Sequence, residues 1–268
     1  MNEAVLIQVP YHLGREHVVL GAGPPPLAEA IGGETVVVAR PGAFRNEVHA
    51  SFEVIRAVAE AVRTAVAAGR LPVVLAGNCA SAVGTVAGLG RAVGVVWFDA
   101  HADFHTPDST PTGFFDGFGL AMLTGEGWAE LRSTIPGART VPQEHVVLAG
   151  TREVEPTEEV RLGDSAITRA DARSLESALD ELARRVDAVY VHIDLDVLDP
   201  SEGKANDWAV EGGFTASELE ASLRAILDRF EVPAAAITAY DPRSDQEGRV
   251  PQVAAALVRV LTTEKVAS

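Results

Sequence analysis

The stretch VGVVWFDAHAD, residues 93–103, is an apolar run broken abruptly by two carboxylates and an imidazole. A short run this rich in β-branched and aromatic residues reads as a strand buried on both faces, as in a parallel sheet covered by helices. The polar residues at its end read as a loop beyond the strand's carboxyl end, where ligands gather in open parallel sheets. Asp99, His101 and Asp103 alternate with alanines, so an extended backbone would project all three from one side.

The same pattern recurs along the chain. Residues 4–9, 72–76, 145–149, 188–193 and 235–239 are further candidate strands, each with four or more apolar residues beside turn chemistry. Between them, residues 51–68 place Phe52, Ile55, Val58, Ala59 and Val62 on one helical face, and residues 215–230 repeat the pattern after Thr215, a candidate N-cap. This alternation predicts an α/β fold, a three-layer α/β/α arrangement with a mostly parallel central sheet, as one domain over residues 1–268. Pro24, Pro25 and Pro26, flanked by glycines, read as an irregular loop. Residues 106–119, rich in Pro, Gly and Thr, form a connection long enough to suggest function.

The residues that follow the other strands are polar as well. They include Gly77-Asn78-Cys79, Asp194-Leu-Asp196-Val-Leu-Asp199-Pro200, Arg152-Glu153-Val154-Glu155 and Tyr240-Asp241-Pro242. One D-x-D after a strand is ordinarily a turn or helix cap. Two acidic sets at the ends of hydrophobic strands argue for cations, because clustered carboxylates are costly unless neutralised. Four carboxylates with an imidazole suit a hard divalent ion such as Mn²⁺.

Composition narrows the remaining classes. The 268 residues are 47% hydrophobic and 22% charged, ordinary for a globular protein, with a net charge of −16 that disfavours nucleic acid and anionic membranes. The beginning, MNEAVLIQVP, lacks a basic leader region, and its apolar run is too short to span a bilayer. Cys79 is the single cysteine, which precludes an intrachain disulfide and fits a reducing, cytoplasmic setting. The chain stops at Ser268 soon after its expected last helix, which points to a monomer.

With these residues in view, the chain resembles the arginases and agmatinases, the ureohydrolase family. Asp99-Ala-His101-Ala-Asp103 and Asp194-Leu-Asp196-Val-Leu-Asp199-Pro200 look like the family's two metal signatures, and Leu75-Ala-Gly77-Asn78-Cys79-Ala-Ser81 looks like a variant of its G-G-D-H-S motif. The resemblance implies two Mn²⁺ ions, with Asp99 and Asp194 bridging, Cys79 and Asp103 completing one site, and His101 and Asp196 the other. It also implies a hydroxide shared by the ions as the attacking group, a proton from Asp196 for the departing amine, and a small guanidino amino acid as substrate.

Three departures from the family pattern stand out. Cys79 occupies the place of a histidine ligand, and its soft sulfur would shift metal preference somewhat toward Zn²⁺ or Fe²⁺. Asp116 stands where arginases carry a proton-shuttle histidine, leaving His105 as a possible substitute. Ala239 stands where arginases carry the glutamate that pairs with the guanidinium. Removing one side of a buried charge pair costs about 3–5 kcal/mol, which disfavours arginine and favours a less basic N-hydroxyguanidine. For the amino-acid end, Glu155 is the candidate partner of the α-ammonium beside Glu158, although both fit a solvated helix start. His105 and Thr112 are candidate donors to the α-carboxylate.

Together these departures look like the ureohydrolases that convert Nω-hydroxy-L-arginine to hydroxyurea and L-ornithine in D-cycloserine biosynthesis. The alternatives are another ureohydrolase, acting on arginine, agmatine or a guanidino acid, and a catalytically inactive metal-binding relative.

Overall fold

The computed structural model describes residues 3–262. Along the chain come β1 (Ala4–Val9), β2 (Tyr11–His12), β3 (Arg15–Glu16), α1 (Pro24–Ile31), β4 (Thr35–Val37), α2 (Glu47–Ala67), β5 (Leu71–Ala76), α3 (Ser81–Leu89) and β6 (Gly94–Phe98). They are followed by α4 (Gly119–Leu123), α5 (Ala129–Ser133), β7 (Val146–Ala149), α6 (Pro156–Gly163), β8 (Thr168–Ala170), α7 (Leu175–Leu182), β9 (Ala188–Asp194), α8 (Ala216–Arg229), β10 (Glu231–Thr238) and α9 (Val250–Thr262). One sheet has the order β4-β1-β5-β10-β9-β6-β7-β8, with every pairing parallel. The short strands β2 and β3 form a separate antiparallel hairpin.

The apolar strands are continuous because both faces of the sheet are covered. In β6, Val96 and Phe98 pack with α1, α7, α8 and α9, whereas Val95 and Trp97 pack with α2, α3 and α4. The result is the three-layer fold expected from the alternation. Full burial of each large aliphatic or aromatic side chain contributes roughly 1.5–3 kcal/mol. The α2/α3 contact is especially close, since a Cβ on Gly84 would lie 2.3 Å from the Ile55 carbonyl oxygen.

Local signals account for the helix ends. The Thr215 side chain accepts from the Glu218 amide and the Glu218 side chain reaches back to the Thr215 amide, a capping box for α8. Helix α2 begins earlier than its apolar stripe, at Glu47, because the Asn46 side chain accepts from the His49 amide at 2.9 Å. The reading of residues 24–26 as irregular is corrected: the three prolines open α1. The first amides of a helix have no intrahelical acceptor, so proline loses nothing there and its fixed φ suits the first turn. The edge strands β4 and β8, three residues each, escaped the sequence pattern because so short a run shows no usable periodicity.

Topology then selects where the site lies. The β5-α3-β6 connection passes over two sheet positions, which β9 and β10 fill later. The carboxyl ends of β5, β10, β9 and β6 consequently stand side by side, with Ala76 level with Thr238 and Thr238 level with Asp194. No helix of the described residues is long and apolar enough to cross a membrane. The chain end at Ser268, on which the expectation of a monomer rests, lies outside the described residues.

Candidate metal centre and pocket

Every residue singled out from sequence for ligation or binding lines one cavity of about 360 Å³ at these strand ends. The six candidate ligands are Cys79, Asp99, His101, Asp103, Asp194 and Asp196, and the pocket continues past His105, Thr112, Glu155 and Glu158. The family-variant positions Asp116 and Ala239 line it too.

The ligands gather by tight turns rather than by strand alternation, which corrects the extended reading of residues 99–103. Strand β6 ends at Phe98, and the Asp99 side chain accepts from the His101 amide at 2.7 Å. Asp103 then adopts a left-handed φ of 49°, a conformation that Asp tolerates better than most residues. Asp194 repeats the device, its side chain accepting from the Asp196 amide at 2.9 Å as the chain enters a 3-10 turn.

Two donor clusters result. Atoms of Asp99, His101 and Asp196 lie within 4.8 Å of one another, as do atoms of Cys79, Asp99 and His192, so Asp99 belongs to both. Cys79 Sγ donates to Asp194 Oδ2 at 2.9 Å. His101 Nδ1 stands 3.3 Å from Asp196 Oδ2 and 3.5 Å from Asp99 Oδ1. Trp97 Nε1 donates to the other Asp99 oxygen at 2.9 Å, and the Ala100 amide donates to Asp196 Oδ1 at 3.1 Å.

The electrostatics call for cations. Burial, reinforced by neighbouring carboxylates, pushes Asp103 and Asp194 well above the usual carboxylate range and Asp99 up to about 6. Burial and the flanking Asp194 and Asp103 likewise raise the Cys79 thiol. Burial opposes the His101 charge, but the hydrogen bonds to Asp196 and Asp99 outweigh it and push His101 up to about 12. Asp103 Oδ2 is buried with no hydrogen-bond partner. An orphaned carboxylate oxygen inside a set of four carboxylates, a thiol and an imidazole fits divalent cations, with oxygen donors dominant.

The rest of the pocket divides by chemistry. Glu158, buried in the first turn of α6, accepts from the Phe104 amide at 2.7 Å, so it is no solvated helix start. Glu155 remains exposed. His105 Nε2 lies 2.9 Å from Glu155 Oε2 and 3.8 Å from Glu158 Oε2, yet it aligns with neither as a hydrogen bond. Thr112 is exposed on the loop, its hydroxyl accepting from the Phe114 amide. No lysine or arginine is among the residues lining the cavity.

A model of the arginase family matches residues 23–263. The chain belongs to the arginase family. It is 31% identical over 220 residues to the arginase of Bacillus caldovelox, covering 78% of this chain and 74% of that one. It is similarly 31% identical to the arginase of Brevibacillus brevis, over 78% of this chain and 74% of the other. The native structure of the Bacillus caldovelox arginase superposes with a TM-score of 0.89 at 27% identity, covering 99% of this chain and all of that chain.

Two residues at the site were missed from sequence, Asn206 and His192, and Asp116 was noted there only for the histidine it replaces. Asp116 is buried, accepting from Asn78 Nδ2 and from the Ala80 amide. Burial, only partly offset by the bond from Asn78, pushes it up to about 7. Asn206 Nδ2 donates to Asp196 Oδ2 at 3.3 Å and to the Ala239 carbonyl at 2.8 Å. Nothing local marks Asn206, since its role depends on a loop returning to β9 and β10. His192 is fully buried and stacked on Trp97, and burial pushes it down to about 3. Its signal was available: it stands two residues before Asp194, on the same face of the strand.

Proposed function

We propose that this arginase-family chain is a binuclear-metal hydrolase that cleaves Nω-hydroxy-L-arginine to hydroxyurea and L-ornithine. Ala239 carries the reading: it lines the pocket beside Asp196 and Asn206 without a carboxylate for a guanidinium. Asp116 does not replace that carboxylate freely, because both its oxygens already accept hydrogen bonds.

In this reading Cys79 and Asp103 would hold one ion and His101 and Asp196 the other, with Asp99 and Asp194 available to both. Mn²⁺ suits the oxygen-rich set, with Zn²⁺ or Fe²⁺ as the choice the thiol would favour. When bound, the ions supply Lewis acidity and a nucleophile available at neutral pH. The protein supplies orientation and proton handling. Asp196 lines the pocket with its Oδ2 held by Asn206, which supports it as the residue that would pass a proton to the departing amine. Glu155 binds the α-ammonium, while His105 Nε2 and Thr112 serve the α-carboxylate. Antibiotic biosynthesis is the setting that goes with this substrate.

A second reading, hydrolysis of arginine itself, draws support from the arginases among the relatives and from the pocket-lining carboxylate of Asp116. Turnover of Nω-hydroxy-L-arginine and L-arginine by the Mn²⁺-loaded protein, with ornithine, hydroxyurea and urea quantified, separates the two. Hydroxyurea with negligible urea is expected. Comparable release of urea from arginine would overturn the reading, and no product from either would leave a metal-binding relative without this activity.

A further inference from the structure

Behind Cys79, buried polar side chains run in a line through otherwise apolar packing. Tyr190 Oη lies 2.9 Å from His192 Nδ1, His192 Nε2 lies 3.3 Å from Thr238 Oγ1, and Thr238 Oγ1 lies 3.1 Å from Cys79 Sγ. Tyr190, His192 and Thr238 are fully buried, and none lines the pocket. Burying them costs free energy unless each is paired.

Hydrogen-bond polarity gives the line a direction. At the pocket end the one hydrogen of the Cys79 thiol goes to Asp194, so in the 3.1 Å contact Thr238 Oγ1 is the donor to Sγ. With its own hydrogen committed, Thr238 accepts from Nε2 of a neutral His192, which leaves Nδ1 to accept from the Tyr190 phenol. The Ile193 carbonyl, at 3.4 Å, is a longer alternative acceptor for the Thr238 hydrogen. The imidazole plane is held by Trp97, stacked at a centroid distance of 3.6 Å and 17° from parallel, and the same Trp97 donates to Asp99.

The sulfur thus has two kinds of partner. Asp194 accepts from it as a thiol, whereas Thr238 can donate to it as a metal ligand. We infer that Thr238, oriented by His192 and Tyr190, is a positioning residue that delivers one hydrogen bond to the Cys79 sulfur and so orients and stabilises it as a metal ligand. This rests on the proposed metal centre. Outer partners of this kind orient ligands and tune the metal.

Cobalt titration of the full chain tests it, because a thiolate bound to Co²⁺ gives a sulfur-to-metal charge-transfer band that Cys79→Ser should abolish. Thr238→Val should move that band to longer wavelength and weaken Co²⁺ binding roughly 10–100-fold, while Thr238→Ser restores both. His192→Phe, which keeps an aromatic ring against Trp97, should reproduce the shift in part. Thermal melts of each variant in chelator show whether the protein still folds. An unchanged band and affinity in Thr238→Val overturn the inference alone, as does loss of one bound Co²⁺ in His192→Phe, which would make His192 a ligand. Absence of any Cys79-dependent band in the parent protein removes the Cys79 ligand itself, and the inference with it.

Discussion

His101 Nδ1 lies 3.3 Å from Asp196 Oδ2, tying the loop after β6 to the loop after β9. In chelator-stripped protein this pair and the buried carboxylates set the pH dependence of stability. Asp99 is raised from 3.8 to about 6, and Asp103 and Asp194 are raised well above the usual carboxylate range, so the stability present below pH 4 is lost as these groups ionise. His101 is raised from 6.5 to about 12, and its contribution is also lost with rising pH, across that window. Asp196, held low by its bonds from His101, contributes in the opposite sense but only below its ordinary range, so above pH 4 the raised groups act in one direction. The melting temperature in chelator should fall from about pH 4 upward, and added Mn²⁺ should raise and flatten the profile. A stripped protein that gains stability between pH 5 and 8 would contradict this.

Asn206 bridges Asp196 and the Ala239 carbonyl from a fully buried position. Asn206→Ala leaves both acceptors short of a donor, which should cost about 1–3 kcal/mol in stability. Turnover should fall roughly 10–100-fold through loss of the Asp196 orientation. Denaturant melts and kcat of the metal-loaded variant measure the two effects separately.

Glu155 and Glu158 approach the same histidine but differ in burial. Exposed Glu155 makes no tie to the backbone through its side chain, so Glu155→Gln should raise KM about tenfold with little change in kcat or melting temperature. Glu158 accepts from the Phe104 amide. Glu158→Leu strands that buried donor and should also lower stability by about 1–3 kcal/mol. Equal effects on KM and stability from both variants would refute the division of roles.

Ala239 sits at a left-handed φ of 62° while its amide donates to the Ala76 carbonyl at 3.1 Å. This conformation costs a residue bearing Cβ roughly 1–2 kcal/mol, part of which glycine recovers despite its greater unfolded-state freedom. Ala239→Gly should therefore melt no lower than the parent and retain hydroxyarginine turnover. A clear drop in melting temperature would show that the Ala239 methyl contributes packing that outweighs the strain.

Much of the site was legible because its chemistry is local. Asp99, His101 and Asp103, like Asp194 and Asp196, follow apolar strands directly, and such runs end at the sheet's carboxyl edge wherever the strand lies in the sheet. Thr215 likewise announces the start of α8 as an N-cap, and the structure adds Glu218 to complete the capping box. Other features carried no local mark. Asp103 turns left-handed, Asn206 reaches back from a loop, and Thr238 meets Cys79 only because β10 pairs with both β5 and β9.

Sequence by itself determined the alternation of strand and helix, the burial of both sheet faces and the identity of the donor atoms, because these follow from side-chain chemistry and short-range periodicity. Only the tertiary structure decided that β9 and β10 enter between β5 and β6. Strand order depends on crossovers and burial summed over distant segments, and it is this order that brings Cys79, separated by 115 residues from Asp194, within 2.9 Å of it.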